Sequence, residues 1–213
     1  MIHQNKGCLR AVLPSASSKT FLTVFLIAVF ARPMFHRAWF QLGAALNRSG
    51  RSEEAAEAVR HAIRLGRTFA SAYRLLAECY ESLGDQKSAA IAYAHAFQLG
   101  DRSPDCCLKL AWLQSVSLEV AVRNGPQALQ LASMAHASRS SVRSLVTLAA
   151  ASAECGEFEK AVHYQMQAID KALARHPDDT VLNELKSILE GFRSNQPVRL
   201  PGGTDRNLFE AVD

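Results

Sequence analysis

Shifted by 34 residues, the chain matches itself: Trp39, Leu42, Gly43, Leu46, Gly50, Ala55, Val59 and Ala62 fall on Tyr73, Leu76, Ala77, Tyr80, Gly84, Ala89, Tyr93 and Ala96. A fixed period of this length constrains the fold strongly, because each unit is one supersecondary element that buries its apolar side only against its neighbours. Taken alone, "QLGAALNRSG" at 41–50 resembles a phosphate-cradling loop, but such a loop occurs once and this stretch recurs. The glycines therefore have packing roles. Gly43 has Ala77 as its counterpart, so that position requires a small side chain where two helices approach closely. Gly50 and Gly84 are both glycine, as expected where a helix ends and the backbone takes a positive φ.

Alanine, leucine and arginine are abundant and β-branched runs are scarce, which favours helix over sheet. The units at 36–69 and 70–103 each read as two amphipathic helices joined at the glycine. A third unit starts in phase at Pro104 and carries Leu110, Ala111 and Trp112. Its second helix comes late: Ala128, Ala132 and Ala135 fit only after five extra residues, which lie in "SVSLEVAVRNGP". A fourth unit runs from Val142 with Leu148, Ala149, Gly156, Ala161 and Ala168, its second helix extending toward Arg175. Val181, Leu185, Ile188, Leu189 and Phe192 then form one stripe of a final helix, started by Asp178 or Asp179, that covers the last apolar face. The chain thus divides into a leader at 1–35, a helical repeat domain at 36–193, and a tail at 194–213 whose turn formers predict disorder.

The formal charge of +4 comes from Lys6, Arg10, Lys19 and Arg32, and residues 36–213 balance to zero. A neutral body lacks the electrostatic footprint of a general nucleic-acid binder, so no nucleic-acid partner is expected. The leader ends in "TFLTVFLIAVFA" at 20–31, twelve residues without a charge, too short to span a bilayer and the right length for a secretory signal core. Ala28 and Ala31 supply small residues where cleavage would fall, and the expectation is an exported protein or one tethered at the cell envelope. Two alternatives stand beside it: translation from Met34, which makes the protein cytoplasmic, or an uncleaved segment 20–31 serving as a membrane tether.

No HExxH, GxSxG, lysine-bearing phosphate loop or paired-carboxylate arrangement is present. Neither catalytic residues, cofactor nor metal is expected. Cys79, Cys106, Cys107 and Cys155 show no CxxC spacing and read as small apolar fillers of helix contacts. His61 and His95, 34 residues apart, are expected on equivalent edges of successive second helices, and Glu159 with His163 is an ordinary solvated pair.

The set Trp39, Leu42, Gly43, Leu46, Ala55, Val59 and Ala62, with its second copy at Tyr73, Leu76, Ala77, Tyr80, Ala89, Tyr93 and Ala96, resembles the tetratricopeptide repeat pattern. The closing proline of that pattern is replaced by Arg67 and Asp101, each preceded by glycine. The third unit is similar to a bacterial variant with an elongated inter-helix loop. The resemblance implies an all-α, right-handed superhelical stack of about four helix-turn-helix repeats plus a capping helix, with a concave groove lined by the first helices. At the groove positions stand Arg37, Phe40, Ala44, Asn47 and Arg48, then Ser71, Arg74, Glu78, Glu81 and Ser82, then Asp105, Leu108, Trp112, Ser115 and Val116, with Lys109 beside them. Apolar patches flanked by charge suit an extended peptide or amphipathic helix. The carboxylate clamp that some such arrays use is not expected, since of Phe40, Ala44, Leu75, Asp105 and Lys109 only Lys109 fits it. Trp112 either anchors a partner or fills its own unit's core. The expected function is a non-catalytic scaffold for a protein partner; the alternative is an accessory or regulatory subunit of an enzyme complex, such as a glycosyltransferase or kinase carried on another chain.

Overall fold

The computed structural model describes Thr23, Phe25, Ile27, Ala31 and the stretches 34–66, 69–175 and 179–199. The rest of the apolar leader and the tail from 200 to 213, including "NLFEAV", lie outside the described residues. Among the described residues there is no strand, and no helix is long and apolar enough to cross a membrane. The chain falls into two compact units, 1–67 and 68–213.

The first unit contains α1 (His36–Arg48) and α2 (Ser52–Arg64). Gly50 closes the turn between them with φ +76°, and the Arg51 amide donates to the Leu46 carbonyl at 3.0 Å, satisfying an orphan acceptor of α1. The buried faces are Ala38, Leu42, Ala45 and Leu46 on α1 and Ala55, Ala56, Val59 and Ala62 on α2. The helices approach so closely that a Cβ on Gly43 would stand 2.5 Å from Val59 Cγ2 and 3.2 Å from the Ala55 carbonyl oxygen. Trp39 stacks on His61 with ring centroids 4.5 Å apart.

The second unit contains α3 (Ala70–Ser82), α4 (Gln86–Gln98), α5 (Pro104–Val116), α6 (Gly125–Ser138), α7 (Val142–Glu154), α8 (Phe158–Leu173) and α9 (Asp179–Arg193). Side-chain caps explain several starts: Asp85 accepts from the Ser88 amide, Ser103 from Cys106 and Asn124 from Gln127, while Ser141 and Ser144 form a reciprocal capping box. The turn of the first unit recurs at Gly84 (φ +77°, Asp85 amide to Tyr80 carbonyl) and at Gly156 (φ +79°, Glu157 amide to Ser152 carbonyl). The Trp39–His61 ring pair has its equivalent in Tyr73 and His95, 5.1 Å apart.

The third hairpin departs from this turn where the sequence places its insertion. Eight residues, 117–124, separate α5 from α6, against three between α3 and α4 and three between α7 and α8. The longer loop is pinned at both ends: the Asn124 amide donates to the Gln114 carbonyl at 3.0 Å and Arg123 donates to the Ser117 carbonyl at 3.2 Å.

One core cluster joins Trp112 and Val116 of α5, Val142, Leu145, Val146 and Ala150 of α7, Ala168, Ile169 and Ala172 of α8, and Val181, Leu185 and Leu189 of α9. α7 is buried along most of its length, and Thr147 within it bonds back to the Arg143 carbonyl at 2.8 Å. α9 covers α8, and the buried Gln165 donates to the Leu185 carbonyl at 2.9 Å across that contact.

Two expectations need correcting here. Residues 194–199 are not a loose tail: Gln196 closes the end of α9 on the Gly191 carbonyl, Val198 packs against the core, and Arg199 is bonded to α5 and α7. The composition of the segment is polar, but two of its side chains find partners that lie far away in sequence. Of the four later cysteines, all free, Cys79, Cys106 and Cys107 are buried fillers, whereas Cys155 at the end of α7 is exposed.

Candidate functional site

In the first unit, Arg37 and Arg48 are exposed on α1, Phe40 is half-buried, and the half-buried Asn47 accepts from the Ser52 hydroxyl at 3.5 Å. Ala44, on the same helix, is half-buried, and the other candidate residues lie in the second unit.

There α3 and α5, the first helices of successive hairpins, are joined by side chains. Lys109 Nζ on α5 lies 2.9 and 3.1 Å from the two carboxylate oxygens of Glu81 on α3. Glu81 also accepts from the Tyr93 hydroxyl of α4 at 2.9 Å. Tyr93 is buried, and that burial, followed by the charges of Glu81 and Glu78, raises its phenol well above the usual range. Lys109 is thus committed to an internal carboxylate, a physical reason why the one residue that fitted a carboxylate clamp is not available for that role.

Arg74 sits between two acids. Its Nε is 3.1 Å from Asp101 while its terminal nitrogen is 3.9 Å from Glu78. Glu78 is the less satisfied of the two, although its side chain is 41% exposed. Burial raises its carboxyl above the ordinary value, Arg74 and Lys109 act to lower it, and Glu81 and Asp105 add to the rise. Asp105 itself is exposed, 4.0 Å from Arg143 of α7. Arg74, Glu78, Glu81 and Lys109 are therefore gathered into one charged surface over α3 and α5.

Trp112 does not belong to that surface. It is 2% exposed and sits in the core among Val116, Val142, Leu145 and Val146, so of its two possible places it takes the interior. Leu108, Ser115 and Val116 are buried as well. α5 lies against α7 along this side, which removes the apolar half of the expected groove lining in the third hairpin from solvent.

Sequence reasoning missed Asp101, which occupies the place of a repeat-closing proline and instead holds Arg74. It also missed a cluster at the far ends of α5 and α7: Glu154 pairs with Arg123 at 3.1 Å and with Arg199 at 2.5 Å. No periodic signal marks these three residues, because two of them lie in non-repeating segments. Among the described residues, no group of three or more His, Cys, Asp or Glu side chains is placed to hold a metal ion.

Residues 36–67 match the family model described as tetratricopeptide repeat. No curated protein sequence matches the chain. Among solved structures it is similar to MamA, with a TM-score of 0.62 at 17% identity over 77% of this chain and 99% of that one. It is similar to YrrB, described as a TPR protein with an unusual peptide-binding site, with a TM-score of 0.65 at 17% identity over 78% and 81% of the two chains. A tetratricopeptide repeat protein from Parabacteroides merdae ATCC 43184 gives a TM-score of 0.63 at 17% identity over 82% and 66%. At such identities these likenesses establish the fold.

Proposed function

We propose that this chain, in which residues 36–67 match the tetratricopeptide-repeat model and the fold is like that of solved tetratricopeptide-repeat proteins, is a non-catalytic scaffold that binds a protein partner through an extended peptide or an amphipathic helix. The observation that carries this reading is the state of Glu78. Its nearest cation, Arg74, stands closer to Asp101, and Lys109 is bonded to Glu81. Glu78 thus has only a distant, shared cation in a setting where burial disfavours its charge, and a basic side chain of a partner can supply a closer one. The likeness to YrrB, described as having an unusual peptide-binding site, supports a peptide as the ligand class.

The test is affinity capture with the full chain beside Glu78→Lys and Glu78→Gln. Loss of the same partners from both variants supports the surface over α3 and α5. Retention of every partner by both sinks it, and hydrolase or transferase activity in the purified protein alone sinks the non-catalytic reading. Export or tethering at the envelope through residues 20–31 is part of the same proposal, and the intact mass checks it. Loss of the first thirty or so residues supports export, and a chain starting at Met34 removes it.

A further inference from the structure

We infer that the C-terminal ends of α5 and α7 form a second recognition site, for an extended peptide carrying an apolar residue followed by arginine, and that Val198 and Arg199 are its internal occupant. The inference rests on the scaffold reading above but concerns a different surface from that over α3 and α5.

The site has three parts. Glu154, at the last position of α7 and only 13% exposed, is approached by Arg123 Nε at 3.1 Å on one carboxylate oxygen and by an Arg199 terminal nitrogen at 2.5 Å on the other. The Ser115 carbonyl, in the last turn of α5, accepts from the other terminal nitrogen of Arg199 at 3.1 Å. A last-turn carbonyl has no partner within its own helix, and the negative end of the helix dipole favours a cation there. Finally, Val198 packs against the core clusters alongside Phe158, Val162, Tyr164 and Ile188. A guanidinium fits where both a carboxylate and a carbonyl must be met, because its planar fork presents several donors at once.

The way the segment is held suggests that it can be replaced. After Gln196, whose amide still closes the end of α9, Pro197, Val198 and Arg199 make no backbone–backbone hydrogen bond among the described residues. The polar contacts come from the Arg199 side chain and the apolar contact from Val198. A peptide from another chain can offer the same two side chains in the same order. The tethered segment has the advantage of effective concentration, which for a short linker is on the order of millimolar, so it competes with a free ligand and lowers that ligand's apparent affinity. If the segment is docked about 90% of the time, a free peptide binds about tenfold more weakly than to the vacated site.

The experiment uses the full chain and a fluorescently labelled, amidated synthetic peptide of residues 194–199, titrated against wild type and Arg199→Ala. The expected result is binding to Arg199→Ala about tenfold tighter than to wild type, lost when the arginine of the peptide is replaced by alanine. Equal binding to both proteins, or binding to neither while both keep their helical spectrum, overturns the inference. If Arg199→Ala does not fold, Val198→Ser provides the same reading. A Glu78→Lys variant separates the two proposals: it abolishes partner capture by the surface over α3 and α5 but leaves binding of this peptide unchanged.

Discussion

Lys109 and Glu81 tie α5 to α3 through two oxygens, at 2.9 and 3.1 Å, and the same carboxylate accepts a hydrogen bond from the hydroxyl of the buried Tyr93. One side chain therefore links the first helices of two hairpins and the second helix of one of them. Replacing Glu81 by alanine leaves the Tyr93 hydroxyl without its acceptor and Lys109 without its counter-ion, a loss of about 2–3 kcal/mol. Lys109→Met removes one cation whose stem still packs, and costs less than about 1 kcal/mol. Urea unfolding of both variants checks the ranking; equal costs would show that the lysine, not the tyrosine, dominates.

Gly43 is required by contact. In the hairpin of α3 and α4 the equivalent residue is Ala77, and it faces a helix carrying Tyr93 where the first hairpin has Val59. The added methyl of Gly43→Ala meets the stiff Val59 side chain at 2.5 Å, well inside van der Waals contact. Overpacking of about 1–3 kcal/mol outweighs the gain of about 1 kcal/mol in helix propensity. The variant is expected to be destabilised, and Gly43→Ala with Val59→Ala to be more stable than the sum of the two single changes. Additive effects in that double-mutant cycle would place the strain elsewhere.

The repeat period made the hairpins, their glycine turns and even the length of the insertion legible, because all of these are set by local spacing. Gly50, Gly84 and Gly156 take the positive φ that their positions in the period imply. What periodicity does not carry is which face of α5 remains wet. Trp112 occupies a groove position in its repeat, yet the approach of α7 buries it, and that approach depends on the volumes of Val142, Leu145 and Val146 in the next hairpin. Arg199 lay further out of reach: its partners Ser115 and Glu154 are 84 and 45 residues away, in elements whose ends meet only in three dimensions.

Glu78 should cost stability where it is charged. A carboxyl raised by burial holds its proton more tightly in the fold than in the unfolded chain. The folded state is thus favoured below the ordinary carboxyl range, and this advantage disappears as pH rises through the raised value. Glu78→Gln is therefore expected to raise the melting temperature at pH 7 and to have no effect below about pH 4, where the wild-type group is already neutral. The increment is small, since water screens a side chain that is 41% exposed. A lower melting temperature at pH 7 would mean that Arg74 more than compensates the burial. The same variant is expected to lose partner binding, so stability and function move in opposite directions at this site.

His136 sets a pH dependence of the opposite sign. Its ring lies 2.8 Å from the Ser144 hydroxyl beneath the start of α7, and burial, then the nearby charge of Lys171, lowers its pKa below the ordinary histidine value. The unfolded chain takes up the proton first, so the fold has this residue's full contribution above about pH 6.5 and loses it as pH falls toward the depressed folded value; below that value both states are protonated and the loss is complete. His61 is shifted the same way, by burial and then by Arg64, and adds to the slope from the first unit. His136→Gln removes only the part due to α6 and α7. The melting temperature of that variant is expected to fall less steeply between pH 7 and 5 than that of wild type, and His61→Gln should flatten what remains. Parallel curves for wild type and both variants would assign the acid sensitivity to carboxylates instead.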